Sequence, residues 1–207
     1  MATLTSLRGD LRNDLQDTGS VVWSDALLNR AIDKAVEEYG QVAPIVAATT
    51  TNGVDAQRRY DLSATSGLLW LEAVEYVIDQ DPKSFLPFQE ESRGVLYILG
   101  DTLPLTGTNN LKVWYAKVHT VDASGSTLPV QDEELVQSGA YAHAILMRAA
   151  ATIGTINPSS WTPRQARDLA ELRRREFRDG LERRRTQRSA PLWRPAWGST
   201  PRGWATV

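Results

Sequence analysis

The sequence predicts an α+β chain: a mainly helical bundle with an inserted antiparallel β element, followed by an extended C-terminal arm. Three observations predict it. Apolar residues recur every three or four positions over 4–39 and again over 131–188. Between them, from about residue 45, the period falls to two and turn residues punctuate it. The last 19 residues hold three prolines, two glycines and three tryptophans with neither period. The expected divisions are 1–44 (bundle), 45–128 (β insertion), 129–188 (bundle) and 189–207 (arm).

In the first helix Leu4, Leu7, Leu11 and Leu15 form one face, ended by Gly19 and Ser20. Ser24 is placed to cap a second helix, with Asp25 at its positive end and Trp23 just outside to staple the entry. Leu28, Ile32, Ala35, Val36 and Tyr39 form its stripe, and Gly40 and Pro44 are expected to stop it.

Thr49-Thr50-Thr51 leads into a turn at Asn52-Gly53, and Arg58 to Leu62 is a short strand. Val74, Tyr76 and Ile78 alternate with Glu75, Val77 and Asp79, as in a half-buried strand. Val95–Leu99 is a compact apolar run, and Leu111–Val118 follows a turn expected at 106–110. With no helices between them, these strands predict an antiparallel meander.

Asp132-Glu133-Glu134 place acids at the start of a third helix, after Leu128-Pro129. Its face of Leu135, Gly139, Ala142, Leu146, Ala149, Ala150 and Ile153 is rich in small residues and suits a central core helix; Gly154 and Asn157-Pro158 end it. Thr162 and Pro163 open a last helix to about Arg188, with the narrow stripe Ala166, Leu169, Leu172, Phe177 and Leu181.

Composition is that of a globular protein: 207 residues, 42% hydrophobic, 23% charged, net charge −2. No apolar run is long enough for a membrane span, and the first residues lack a signal-peptide layout. With no cysteine there is no disulfide framework and no thiol nucleophile, which suits a protein made in a reducing cytosol. The small net charge hides an asymmetry. Residues 161–207 hold 12 arginines, no lysine and 5 acids, a net +7, against −9 for residues 1–160. An acidic body and a basic end can meet within a subunit, between subunits or on a third party.

Catalytic patterns are missing. His119 follows a strand and His143 sits inside an apolar helix, neither at metal-ligand spacing, so both read as structural. Thr106-Gly107-Thr108 has neither the lysine nor the glycines of a phosphate loop. The expectation is no enzyme, no cofactor and no metal. The basic helix (Arg173, Arg174, Arg175, Arg178, Arg183, Arg184, Arg185) has three readings. It is an interface with protein or a second subunit, a solvated face with pairs such as Glu171–Arg175, or a phosphate-binding surface. In the arm, Leu192, Trp193, Arg194, Pro195, Trp197, Arg202 and Trp204 combine large apolar anchors with arginine. A segment that cannot form its own core exposes such residues in order to dock, on a partner or back on its own subunit.

Residues Trp23 to Tyr39 (WSDALLNRAIDKAVEEY) resemble the opening of tailed-phage head-to-tail adaptor (connector, head-completion) proteins. So does the stretch His119-Thr120-Val121 to Ser126-Thr127-Leu128-Pro129, followed by Glu133 to Ala142 (EELVQSGAYA). The resemblance covers most of residues 3–180 in the order of elements. It implies a structural virion protein, made in the host cytoplasm and assembled as a dodecameric ring beneath the portal of the filled capsid. Such a ring joins head to tail, with the portal protein on one face and the next neck or tail protein on the other. Genomic DNA passes through its channel without sequence-specific binding. The arm is then a portal-docking segment. The alternative is a nucleic-acid-binding protein that uses the arginine helix with the Trp and Arg of the arm.

Overall fold

The computed structural model describes residues 2–152 and 163–188, with side chains for 2–150 and 167–186. Several expected features lie outside these residues. They are Ile153, Gly154, Asn157-Pro158, the Thr162 cap and the whole arm, with Leu192, Trp193, Arg194, Pro195, Trp197, Arg202 and Trp204.

Helix α1 (Leu4–Asp14) opens with a reciprocal cap. Thr3 Oγ1 accepts from the Ser6 N–H at 3.1 Å, and Ser6 Oγ accepts from the Thr3 N–H at 2.8 Å. Ser24 caps α2 (Asp25–Val42) as expected, accepting from the Leu27 N–H at 3.3 Å. The link between the two helices is organised by Asp17, whose carboxylate accepts from the N–H groups of Val21, Val22 and Trp23 and pairs with Arg12 at 3.1 Å. Trp23 is buried and lies under the Arg148 guanidinium, 4.7 Å from the ring centre.

Gly40 does not stop α2, which continues to Val42. A Cβ there would stand 3.3 Å from the His119 amide nitrogen, so the glycine permits close approach to the chain returning from the β element. Strands β1 (Ile45–Gly53), β7 (Gly107–Lys117), β3 (Leu68–Glu75) and β4 (Phe85–Leu86) form one sheet in that order. Strands β2 (Arg59–Asp61), β6 (Val95–Ile98) and β5 (Phe88–Ser92) form a second. Every pairing is antiparallel, but the chain passes between two sheets rather than tracing one meander. Leu71, Val74, Leu96, Ile98, Leu111 and Val113 fill a β core of their own.

Two strand boundaries differ from expectation. The turn expected at 106–110 lies largely inside β7, because Asn110 and Asn52 tie the strand ends. Gly53 N–H donates to Asn110 Oδ1 at 2.6 Å, and Asn109 N–H to Asn52 Oδ1 at 2.8 Å. Strand β3 starts earlier and ends at Glu75. Val77 is exposed, as the alternation predicts, but Glu75, expected on the same outward set, is fully buried. Both faces of β3 are covered there, and a buried carboxylate is tolerated because donors surround it.

After a single 3-10 turn at Val130–Asp132, α3 (Glu133–Thr152) runs through the bundle and packs on the other three helices. Its buried face includes Val136, Ala140, Tyr141, Ala144 and Ile145, and Leu28, Ile32, Tyr39 and Phe177 meet it in the helical core. Helix α4 (Pro163–Arg188) begins at Pro163 as expected. Its buried row is Ala170, Phe177 and Leu181, and Leu172 is 52% exposed, rotated off the predicted stripe. The chain is thus an α+β protein of four helices and two antiparallel sheets.

Candidate functional site

The seven predicted arginines all lie on α4, and the way that helix docks decides what each can do. Phe177 lies over Gly139 of α3, where a Cβ would come within 2.9 Å of three ring carbons. Gly180 of α4 reciprocally receives Leu135, whose Cδ1 would overlap any Cβ placed there. These two contacts set the rotation of α4 and turn Arg184 inward to Asp132, while Arg173 stays exposed at the rim beside Tyr141.

Arg184 pairs with Asp132, a carboxylate only 3% exposed. Asp132 Oδ2 also accepts from the Tyr39 hydroxyl at 2.6 Å. Burial and that hydrogen bond push the Tyr39 phenol well above its ordinary range. So Asp132, expected to serve the dipole of α3, instead ties α2 and α4 to the turn before α3. Arg173 bonds Glu176 at 3.0 Å and lies 5.5 Å from the centre of the Tyr141 ring.

The other arginines are disposed differently. Arg174, Arg175, Arg178 and Arg183 make no ion pair among the described residues. Arg174 and Arg178, one turn apart, share a flank of α4 with Arg185 and Arg167. The latter two are held only by exposed partners on the same helix, Glu182 at 3.7 Å and Glu171 at 2.8 Å. The expected Glu171–Arg175 pair does not form, since Glu171 turns to Arg167. Arg183 lines a mixed-charge cleft of about 670 Å³ on the opposite flank, with Asp14, Glu134 and Glu176. The basic surface is therefore not one patch: Arg174 and Arg178 lie on one flank of α4, Arg183 on the other, and Arg184 turns inward to the buried Asp132.

His143 bonds Glu38 of α2 at 3.2 Å. Burial pulls its imidazole below the ordinary value, with the nearby Arg174 and Lys34 charges in the same direction, against the pull of Glu38. His119 lies between two carbonyl oxygens, Thr127 O at 2.9 Å from Nδ1 and Ala43 O at 2.8 Å from Nε2. It locks the end of α2 to the loop leaving the β element, and its ring packs on Tyr39 with centres 5.1 Å apart. Both histidines read as structural from sequence, and in the fold each makes contacts between separate elements.

The residues that sequence reasoning missed are acids. Glu75 is held by Trp114 Nε1–H at 3.0 Å, the Asp79 N–H at 3.3 Å and Lys83 at 3.6 Å. Burial works against its charge, but these donors and Lys112 outweigh it and hold the carboxyl below its ordinary value. No sequence spacing links residues 75, 83, 112 and 114, so nothing local signals this cluster. Among the described residues no group of His, Asp and Glu is arranged to hold a metal ion. Nor is any described helix long and apolar enough to cross a membrane.

No known family model matches the chain, and no curated protein matches it either. Among solved structures, it is similar to a chain from the neck of an empty GTA particle computed with C6 symmetry, at 14% identity and a TM-score of 0.30, over 81% of this chain and 88% of that one.

Proposed function

We propose that this chain is a structural protein of the virion neck, a head-to-tail adaptor that forms a ring beneath the portal and extends the DNA channel toward the tail. The observation that carries the reading is the charge disposition of α4. Arg174, Arg175 and Arg178 are presented outward on a helix whose rotation is set by Phe177 and Leu135. The rest of the chain is strongly acidic. Such a surface suits neighbouring acidic subunits, and guanidinium groups suit bidentate pairing with carboxylates. The order of elements and the residues Trp23–Tyr39 and Glu133–Ala142, which resemble the adaptor family, support the same reading.

In this reading the helical bundle, tied internally through Asp132 and to the loop leaving the β element through His119, is the rigid frame of each subunit. The C-terminal arm supplies contacts to the portal through Leu192, Trp193, Arg194, Pro195, Trp197, Arg202 and Trp204. A ring multiplies weak arm contacts by avidity, so no single arm need bind tightly. Acidic walls let DNA pass without sticking. The function needs no catalytic group, cofactor or metal.

Deleting residues 189–207 tests the arm. The truncated protein is expected to keep its helix content while losing co-sedimentation with the portal protein of its own particle. Undiminished portal binding by the truncated form refutes the arm's role.

A further inference from the structure

Among the described residues strand β1 is the edge of the larger sheet, paired with β7 on one side only. Along Ile45–Thr51 every second N–H and C=O points outward without a partner among the described residues. This edge is long and unprotected. Its nine residues, IVAATTTNG, contain no charge and no proline, the two devices that keep edge strands from pairing with other chains.

Helix α4 ends close to the head of that edge: Arg184, in its last described turns, lines the same cleft of about 460 Å³ as Ala43, Pro44 and Ile45. The sequence that follows has the parity an added strand needs. Pro191, Pro195 and Pro201 all fall on odd positions. In an extended strand the N–H groups of successive residues face opposite sides and those of alternate residues the same side, so prolines on one parity turn their missing donors outward together. Leu192, Arg194 and Ala196 then present their N–H groups to β1. Pro191, Trp193, Pro195 and Trp197 share one face of the strand. On the sheet face away from the second sheet, β1 offers Val46 and Ala48, beside the Trp114 ring of β7. An outer strand carrying prolines also ends the sheet, because nothing further can pair with it.

We propose that in the free protein residues 191–197 of the same chain add to the open edge of β1 as a parallel fifth strand, with Trp193 and Trp197 packed beside Val46 and Ala48. Seven extended residues reach about 23 Å, most of the roughly 30 Å that β1 spans. The direction is parallel because the arm starts at the Ile45 end and runs away from the bundle. The proposal concerns the protein before any partner is bound, and it does not depend on what the arm later binds.

Hydrogen exchange of the purified full chain, read at the amides of residues 45–53, tests it. Alternate amides of β1 are expected to exchange about tenfold or more slowly in the full chain than in the form lacking 189–207. Ala196→Pro, which removes a donor facing β1, is expected to lose that protection. Ser199→Pro, which places a proline on the outward parity, keeps it. Equal exchange in the full and truncated chains overturns the proposal, and so does protection that survives Ala196→Pro. Protection that appears only with rising protein concentration overturns the same-chain assignment, since a second copy then supplies the strand. Portal binding is measured separately, so failure here leaves the adaptor reading to its own test.

Discussion

Asp132 holds the bundle together from a position that looks ordinary in the sequence. Its carboxylate joins Tyr39 of α2 to Arg184 of α4, and removing it strands a buried hydroxyl and a partly buried guanidinium. Asp132→Ala is expected to cost about 2–4 kcal/mol in chemical denaturation, below the usual cost of a fully buried pair because Arg184 is in part exposed. Tyr39→Phe is expected to cost about 1 kcal/mol, the net worth of one hydrogen bond. Glu75 makes a pH prediction. Its carboxyl is held below the ordinary 4.5, so its folded form keeps its charge longer than the unfolded chain does. That contribution is complete above 4.5 and is lost as pH falls through the lower folded value. Thermal melts of the wild type are therefore expected to lose stability below pH 4.5 more steeply than those of Glu75→Gln. Parallel slopes would contradict the depressed carboxyl. Neither residue is legible in a linear pattern. Asp132 reads as a helix-dipole acid and Glu75 as a solvent-facing strand position, because their partners are distant in sequence and meet only in the fold.

Elements were far more legible where periodicity runs long. Ser24 capping α2, the rows of Leu7, Leu11, Leu28 and Ile32, and Pro163 opening α4 all follow from local rules. The β insertion was legible as antiparallel strands but not in its strand ends or its division into two sheets. Side chains such as Asn110 and Asn52, and not turn residues, set those ends. Small residues on α3 proved to matter for close approach. Gly139→Ala is expected to destabilise by about 1–3 kcal/mol, because the buried Phe177 ring has nowhere to move. Gly180→Ala is expected to cost less, since Leu135 is only half-buried and can change rotamer. Equal costs would mean that α4 shifts as a body instead.

At the scale of the whole molecule, the acidic body and basic end are the feature the sequence announced most plainly, and folding sorts the basic part. Arg184 turns inward to Asp132 and Arg173 pairs with Glu176 on its own helix, while Arg174, Arg175 and Arg178 remain for a partner. Reversing two charges with Arg174→Glu and Arg178→Glu is expected to leave the melting temperature within a few degrees and to abolish ring formation on the portal. A double variant that still forms rings would assign those arginines to solvent alone. The mass of the purified protein, alone and mixed with the portal protein of its own particle, measured by native mass spectrometry, tests the adaptor assignment most directly. The account predicts a monomer alone and a closed ring on the portal in the mixture. No portal binding, together with DNA binding that falls steeply with salt in the same buffer, would contradict it.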